Sequence, residues 1–180
     1  MISKKGVSAI VATALLIVIT LALAAIIATV AIPFVRNSLQ GSTECSAYKN
    51  HFTFDSSFNL NCHDYSGTIA KISIKAGQVS PENAAKIKGV QFVFMKTGGS
   101  SESISFNEGS PGSCSSGGIM NYDISCPGFG SLTIPEAGES RSYKYYPKSK
   151  VEGYVSVNPI LASGKTCDTS DRIKMTVCSS

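Results

Sequence analysis

Hydrophobic and polar residues follow two different patterns along the chain. Over residues 7–32 nearly every position is Val, Ile, Leu or Ala, and no charge occurs between Lys5 and Arg36. At a rise of ~1.5 Å per residue, a helix over this run is about 39 Å long, which exceeds the ~30 Å hydrocarbon core of a bilayer. Its fourteen Leu, Ile and Val residues favour insertion by about 4 to 8 kcal/mol. The pattern therefore predicts a helix that can cross a membrane.

The residues that flank this run indicate where the helix ends and which way it faces. Pro33 is expected to end or kink the helix near Ile32, because proline lacks the backbone N–H that a helix interior uses. Lys4 and Lys5 precede the run, and the positive-inside rule keeps such residues in the cytoplasm. The part of the chain after the helix is therefore expected outside the cell.

Beyond Gly41 short apolar runs alternate with polar residues and are separated by Gly, Ser, Pro and Asn, which is typical of β-strands and turns. Residues 90–95 are largely apolar on both faces, which favours a central strand. A short helical turn is expected over residues 80–85. About eight short strands without a second long helix favour an immunoglobulin-like sandwich. The strands are expected at 52–54, 70–75, 90–95, 103–106, 132–134, 142–146, 151–157 and 172–177.

All six cysteines follow the apolar run: Cys45, Cys62, Cys114, Cys126, Cys167 and Cys178. Such a set indicates disulfides in an oxidising compartment outside the cytoplasm. We expect Cys114 to pair with Cys126, because this bridge would hold the turn-rich loop between them. For the other four cysteines two possibilities stay open. Either sequence neighbours pair, which requires a bend in the strand over residues 172–177, or the pairs cross.

Three interpretations of the apolar segment compete: a cleaved secretory signal, a plain membrane anchor and the stem of a prepilin. The secretory signal fits worst, because its apolar region spans about 7 to 15 residues and this run is about twice as long. Length does not separate the other two. Residues 4–13, KKGVSAIVAT, combine a basic pair, a glycine, Val-Ser and an uninterrupted apolar helix. This order resembles the class III signal peptide and mature start of archaeal type IV pilins.

The resemblance implies a cut by a prepilin peptidase on the cytoplasmic side, between Gly6 and Val7. The cleavage motif then comprises Lys4, Lys5, Gly6 and Val7. The mature chain would keep its apolar helix and enter a homopolymer with the help of a pilus assembly platform and its ATPase. The chain departs from the family at Ala9, where many relatives have Pro, and at Val11, where bacterial pilins have Glu. Without that Glu, assembly is expected to rest on helix packing.

Small residues four positions apart lie on one face of an α-helix and let two helices approach closely. Such pairs include Ser8 with Ala12, Ala24 with Ala28, and Ala25 with Thr29. An Ala-rich helix that merely tolerates lipid would carry the same residues. With the cleavage motif in front of them, these pairs are the expected helix-packing contacts of a filament core.

No pattern in the sequence predicts an enzyme. It contains no nucleophile elbow, phosphate-binding glycine loop, zinc-protease motif or dinucleotide fingerprint. His63 and Asp64 are interpreted as solvated loop residues, and Glu136 and Glu139 as turn residues. The histidines do not stand at zinc-ligand spacing from a cysteine pair. We therefore expect no catalysis, no cofactor and no metal site.

The charge pattern argues against nucleic acid as a partner. Lys and Arg exceed Asp and Glu by four (16 against 12), but Lys4, Lys5 and Arg36 flank the helix. The positive and negative charges of the remaining residues almost cancel. Binding to the phosphates of nucleic acid requires basic side chains clustered on one face. Residues 140–150 mix tyrosines with basic groups and would suit either an external partner or packing within the head.

The sequence thus predicts an α+β pilin-like fold: a long N-terminal hydrophobic α-helix followed by an all-β immunoglobulin-like sandwich head. The expected division is a signal peptide over 1–6, a helix over 7–40, a linker over 41–49 and the head over 50–180. The precursor would lie in the cytoplasmic membrane, and the filament would lie outside and serve surface adhesion. The alternative is a binding module that stays anchored in the membrane and does not polymerise.

Overall fold

The computed structural model describes residues 4–35, 44–96, 98–127 and 130–179, with the helix side chains described from Val11 onward. The chain divides into two compact units, Met1–Glu44 and Cys45–Ser180. Residues 1–3 of the expected signal peptide, residues 36–40 of the expected helix and residues 41–43 of the expected linker lie outside the described residues. Each unit is described by itself below.

In the first unit a helix runs through Pro33. Helix α1, Lys4–Ile26, continues into a π-helical segment, Ile27–Ala31, and residues 32–35 are α-helical again. Pro33 cannot donate to the Thr29 carbonyl, and its ring would press against that carbonyl in a regular α-helix. The wider turn gives the Ile32 N–H a partner five residues back, the Ile27 carbonyl. The helix therefore does not end near Ile32 but extends to Val35.

The second unit begins five residues before the expected start of the head. Cys45 is bonded to Cys167, and Tyr48 is buried, with its hydroxyl donating to the Asn83 carbonyl at 3.1 Å. Residues 45–49, expected to form part of the linker, therefore belong to the head.

Among the described residues of this unit, ten strands form two sheets. The first sheet has the order β10-β2-β3-β7-β6, with β1 also paired to β3, and the second has the order β5-β4-β8-β9. All neighbours are antiparallel except β10 and β2. The strands are β1 Phe52–Phe54, β2 Cys62–His63, β3 Ala70–Ala76, β4 Ile87–Lys96, β5 Ser101–Asn107, β6 Gly118–Asn121, β7 Ser140–Tyr146, β8 Gly153–Leu161, β9 Asp171–Lys174 and β10 Thr176–Val177.

The core lies between the inner faces of the two sheets. Ile72 and Ile74 of β3 and the two tyrosines Tyr143 and Tyr145 of β7 belong to the same buried cluster as Phe92, Phe94, Val155 and Val157 of the second sheet. Phe94 stacks on Tyr145 with ring centres 4.6 Å apart, and Phe92 lies 5.8 Å from Tyr143. Alternation along β3, β4 and β7 thus directs every second side chain towards the core. For β3 the sequence pattern predicts this, whereas for Tyr143 and Tyr145 of β7 it left packing and an external partner open.

Strand β4 is central in its sheet, as expected, and the predicted helical turn is present as Pro81–Ala84. The expected strand at 132–134 is wrong: Leu132 is buried, but the segment is a loop whose backbone bonds to Gly109 and Ser110. The expected strand at 172–177 is two strands. Met175 is buried between them, β9 pairs with β8 in the second sheet, and β10 pairs with β2 in the first.

The bend at Met175 explains the disulfides. Cys114 pairs with Cys126, as predicted. The remaining pairs cross, with Cys45 bonded to Cys167 and Cys62 bonded to Cys178. Because β10 lies parallel to β2, the Cys178 N–H bonds to the His63 carbonyl at 2.8 Å, which brings the Cα atoms of Cys62 and Cys178 within 5.0 Å. Cys45 is therefore not bonded to Cys62, and Cys167 is not bonded to Cys178.

Candidate functional site

The surface of the N-terminal helix is apolar and uncovered. Every described side chain from Val11 to Val35 is exposed, including 66% of Leu21 and 71% of Phe34. This segment has a mean hydropathy of 3.0 over its most apolar part and is long and apolar enough to cross a membrane, by length and composition. Exposed apolar surface on this scale requires lipid or protein around it.

The hydroxyl groups of the helix do not oppose burial in an apolar environment. Thr20 donates to the Ile17 carbonyl at 2.9 Å, and Thr29 donates to the Ala25 carbonyl at 2.8 Å. A threonine that bonds back to its own helix exposes no free donor to lipid or to a neighbouring helix. The Thr20 and Thr29 hydroxyls therefore do not prevent lipid or a neighbouring helix from packing against them.

The expected packing residues Ala12, Ala24, Ala25, Ala28 and Thr29 all lie on this exposed surface. Ala28 and Thr29 are inside the π-helical segment, whereas the other three are in α1. Nothing in the second unit is needed to explain why these positions are small. The Ser8 side chain, which completes the first predicted pair, lies outside the described residues.

The expected cleavage site lies in the first turn of α1. The backbone is helical from Lys4, so the Gly6–Val7 peptide bond follows directly on the helix start. The first four N–H groups of a helix have no intrahelical partners, and the first turn opens more easily than the interior. The side chains of Lys4, Lys5 and Val7 lie outside the described part of the chain.

In the head, a partly buried ion pair within the second sheet is linked to the first sheet by a tyrosine hydroxyl. Glu102 of β5 accepts hydrogen bonds from Lys96 Nζ at 3.0 Å, from the Lys148 N–H at 2.9 Å and from the Tyr145 hydroxyl. Burial opposes ionisation of Glu102, but these three hydrogen bonds and the Lys96 charge outweigh it and hold the pKa below its usual value. Burial, and then the contact with Glu102, raise the pKa of Tyr145. The group is a structural link between β5 and β7.

Two of the three tyrosines of residues 140–150 lie in the core. Tyr143 and Tyr145 are buried, and Tyr143 donates to the Thr133 carbonyl at 2.7 Å. On the opposite face of β7, Lys144 Nζ lies 4.7 Å from the centre of the Tyr122 ring. Packing between the sheets thus accounts for the alternation of aromatic and basic residues in this strand.

His63 and Asp64 do not form a catalytic pair. His63 is buried, contrary to the interpretation as a solvated residue, and its Nδ1 lies 2.7 Å from the backbone oxygen of Asp64. The Asp64 carboxylate instead accepts hydrogen bonds from Ser66, Thr68 and the Ile69 N–H. Partial burial opposes ionisation of Asp64, but these bonds prevail and lower its pKa to about 2. The carboxylate stabilises the turn before β3.

The Glu139 carboxylate likewise makes local contacts that stabilise a turn. Glu139 accepts a hydrogen bond from the Glu136 N–H at 3.0 Å and pairs with Arg141 at 2.6 Å, so these residues form a turn, as expected. Among the described residues, no three His, Cys, Asp or Glu side chains are grouped so that they could hold a metal ion.

A cavity of about 570 Å³ lies beside His51. Its walls are mostly apolar, with Phe52, Pro81 and Ile134 among them, and Glu108 lies at its side. Burial lowers the pKa of His51, and its Nδ1 has no hydrogen-bond partner among the described residues. Glu108 is bonded to the Ile134 N–H. The cavity thus has no base that a second side chain orients, as acid–base chemistry requires.

Comparison with known proteins does not identify the chain. No family model matches it, and no curated protein matches it. Among solved structures, it is similar to Astrotactin-2, a vertebrate-specific and perforin-like membrane protein, at 12% identity and a TM-score of 0.37 over 70% of this chain and 21% of that chain. It is also similar to the human F-spondin reeler domain, at 11% identity and a TM-score of 0.26 over 72% of this chain and 89% of that chain. Likenesses this weak carry no argument about fold or function.

Proposed function

We propose that this chain is a structural subunit of an extracellular type IV pilus-like filament and that it polymerises through its N-terminal helix. The observation that carries the proposal is the helix itself. It is apolar and exposed over Val11–Val35, and the motif KKGVS precedes it at the position of a prepilin cleavage site. A retained helix of this kind can exchange lipid contacts for contacts with other copies of itself.

The head supports an extracytoplasmic location for the second unit. Three disulfides close it, and no described cysteine is free. Disulfides persist in oxidising compartments and protect a domain that faces the environment. We assign the two packed sheets to an immunoglobulin-like sandwich, which faces outward from the filament.

The role we propose is structural and not enzymatic. The partners are a prepilin peptidase that cuts between Gly6 and Val7, an assembly platform with its ATPase, and further copies of the chain. Adhesion is the favoured use, because the mature start Val-Ser-Ala-Ile-Val resembles adhesive archaeal pilins more than subunits of swimming filaments. The other possibility is an uncut helix that holds the head permanently at the membrane.

Immunogold electron microscopy with an antibody against the head separates these two roles. Native cells are labelled without permeabilisation, and cells that lack the protein serve as the control. A pilus subunit places the gold along thin filaments that extend from the cell. Label confined to the cell envelope, with no labelled filament, would reject the pilus and favour the membrane-anchored binding module.

A further inference from the structure

One edge of the second sheet is open. Strand β5 pairs with β4 along its whole length, and no strand among the described residues pairs with its other side. The Lys96 N–H donates to the Ser100 carbonyl, and the Glu108 N–H donates to the Lys88 carbonyl. These two bonds show which residues of β4 and β5 exchange backbone hydrogen bonds. The even-numbered residues of β5 therefore bond to β4. Ser103 and Ser105 direct their N–H and C=O groups outward.

The other sheet edges are protected. On β1 the Phe52 and Phe54 N–H groups are bonded to side chains of Ser170 and Asp171. On β6 the Ile119 carbonyl accepts a bond from the Ser113 N–H.

Strands β9 and β10 are only four and two residues long. Strand β5 has seven residues and contains no proline, no lysine and no bulge, three features that prevent an edge from pairing. Its one inward-pointing charge, Glu102, is paired with Lys96.

The inner side of this edge is also incompletely covered. Ile104 is only partly buried, although it packs against the core. Beside it lies a groove of about 390 Å³ whose apolar lining includes Phe106, Ile119 and Leu132. A further strand along β5 would bury the Ile104 side chain and cover part of this groove. The edge thus offers both backbone hydrogen-bonding groups and apolar surface to an extended partner.

We propose that the partner is β5 of a second copy of this chain, paired antiparallel about a two-fold axis at Ile104. The register is set by Ile104, the partly buried side chain at the middle of Ser101–Asn107. The Asn107 N–H and C=O groups take no part in the pairing, because they already bond to Ser110 of the same head. Ser103 then faces Ser105 of the second copy, and the two Ile104 side chains face each other.

The charges of β5 allow this pairing. Its only ionisable residue is Glu102, which would lie opposite Phe106 and not opposite another carboxylate. Glu102 is already neutralised by Lys96 at 3.0 Å. The outward side chains near the axis are serines, which neither repel nor obstruct a second backbone. The two four-stranded sheets would become one sheet of eight strands across two heads. Such pairing does not require a filament and stands apart from the proposed function.

Register-specific crosslinking of the full-length chain in detergent tests the proposal. Ser103→Cys and Ser105→Cys variants carry different tags and are mixed under mild oxidation. In the proposed register Cα atoms of 103 and 105 across the axis are about 5.5 Å apart, within disulfide range. Two copies of residue 103 are about 9 Å apart, which is beyond that range. We expect at least ten times more mixed dimer than either homodimer.

A Ser57→Cys variant, on an exposed loop between β1 and β2 of the other sheet, is the matched control and should crosslink no more than random collision allows. Equal yields of mixed dimer and homodimers, which association through the helices alone would give, overturn the proposal, as does the absence of any crosslink.

Hydrogen exchange of the unmodified chain is a second measurement that needs no substitution. The Ser103 and Ser105 amides should exchange at least ten times more slowly as protein concentration rises into the range where dimers form. Fast exchange of both amides at every concentration also overturns the pairing.

Discussion

Replacing Ala24 and Ala28 together by leucine tests whether the small residues of the helix are filament contacts. Both positions are exposed in the described helix. Leucine is at least as favourable as alanine in the hydrocarbon core, so insertion of the precursor should be unchanged. The substitution therefore separates membrane insertion from helix packing.

The expected cost follows from packing. Each leucine adds three carbon atoms where a neighbouring helix should approach, and overpacking costs about 1 to 3 kcal/mol per site. Two sites weaken each subunit's contacts by about 2 to 6 kcal/mol, or roughly 30-fold to 10⁴-fold in the association constant at ~1.4 kcal/mol per decade. Because a filament repeats the contact at every subunit, few or no filaments should form.

The assay compares filament number by electron microscopy with the amounts of precursor and mature protein by immunoblot. The matched control replaces Ala14 and Ala22 by leucine, which adds the same bulk and hydrophobicity. Residues four positions from these alanines are large, Val18 for both and Ile26 for Ala22, so neither belongs to a small-residue pair. The control should keep its filaments. Normal filaments in the Ala24/Ala28 variant would show that these alanines do not line the contact.

Two further predictions concern the head. Thiol titration of the oxidised chain should detect no reactive cysteine, and peptide mapping should recover the crossed pairs Cys45–Cys167 and Cys62–Cys178; several free thiols would contradict the three bridges. Glu102→Gln should lower the free energy of unfolding of the head by about 1 to 3 kcal/mol at neutral pH, because it removes a partly buried charge that accepts three hydrogen bonds. Since the folded pKa of Glu102 is depressed, its stabilisation exists above the unfolded value of ~4.3 and is lost as pH falls through the folded value. Acid unfolding followed by near-UV circular dichroism should therefore be less steep below about pH 4.3 in the variant, and identical slopes would refute this role.

The sequence predicted secondary structure correctly where the local pattern of apolar residues decides it. The alternation in β3 and β7 placed Ile72, Ile74, Tyr143 and Tyr145 on inner faces, because only one face of each strand meets the core. The apolar run predicted the helix for a similar reason, since every position in it is apolar. Local patterns of this kind need no knowledge of distant residues.

The bend at Met175 could not be predicted from a local pattern of apolar residues. Ile173, Met175 and Val177 alternate as in one strand, yet β9 and β10 belong to different sheets. The crossed disulfides depend on this bend and on the parallel contact between β10 and β2, whose cysteines are 116 residues apart. Such long-range pairing leaves no local signal.

Two short strands also escaped the pattern. β2 has two residues, too few for any periodicity, and β6 begins with Gly118 after a turn-rich loop. Around Leu132 the sequence predicted a strand that is not present. The sequence pattern of a buried apolar residue in a loop resembles that of one in a strand. For the helix, Pro33 predicted an interruption, but sequence alone did not show that a wider turn could accommodate it.

Intact mass and N-terminal sequencing of the subunit from filaments sheared off native cells test the central claim most directly. The account predicts a mature chain that begins at Val7 and contains three disulfides. This result requires cleavage after Gly6, retention of the helix and incorporation into a filament. A surface-localised protein that retains Met1 and is recovered only with membranes, and not with filaments, would contradict it.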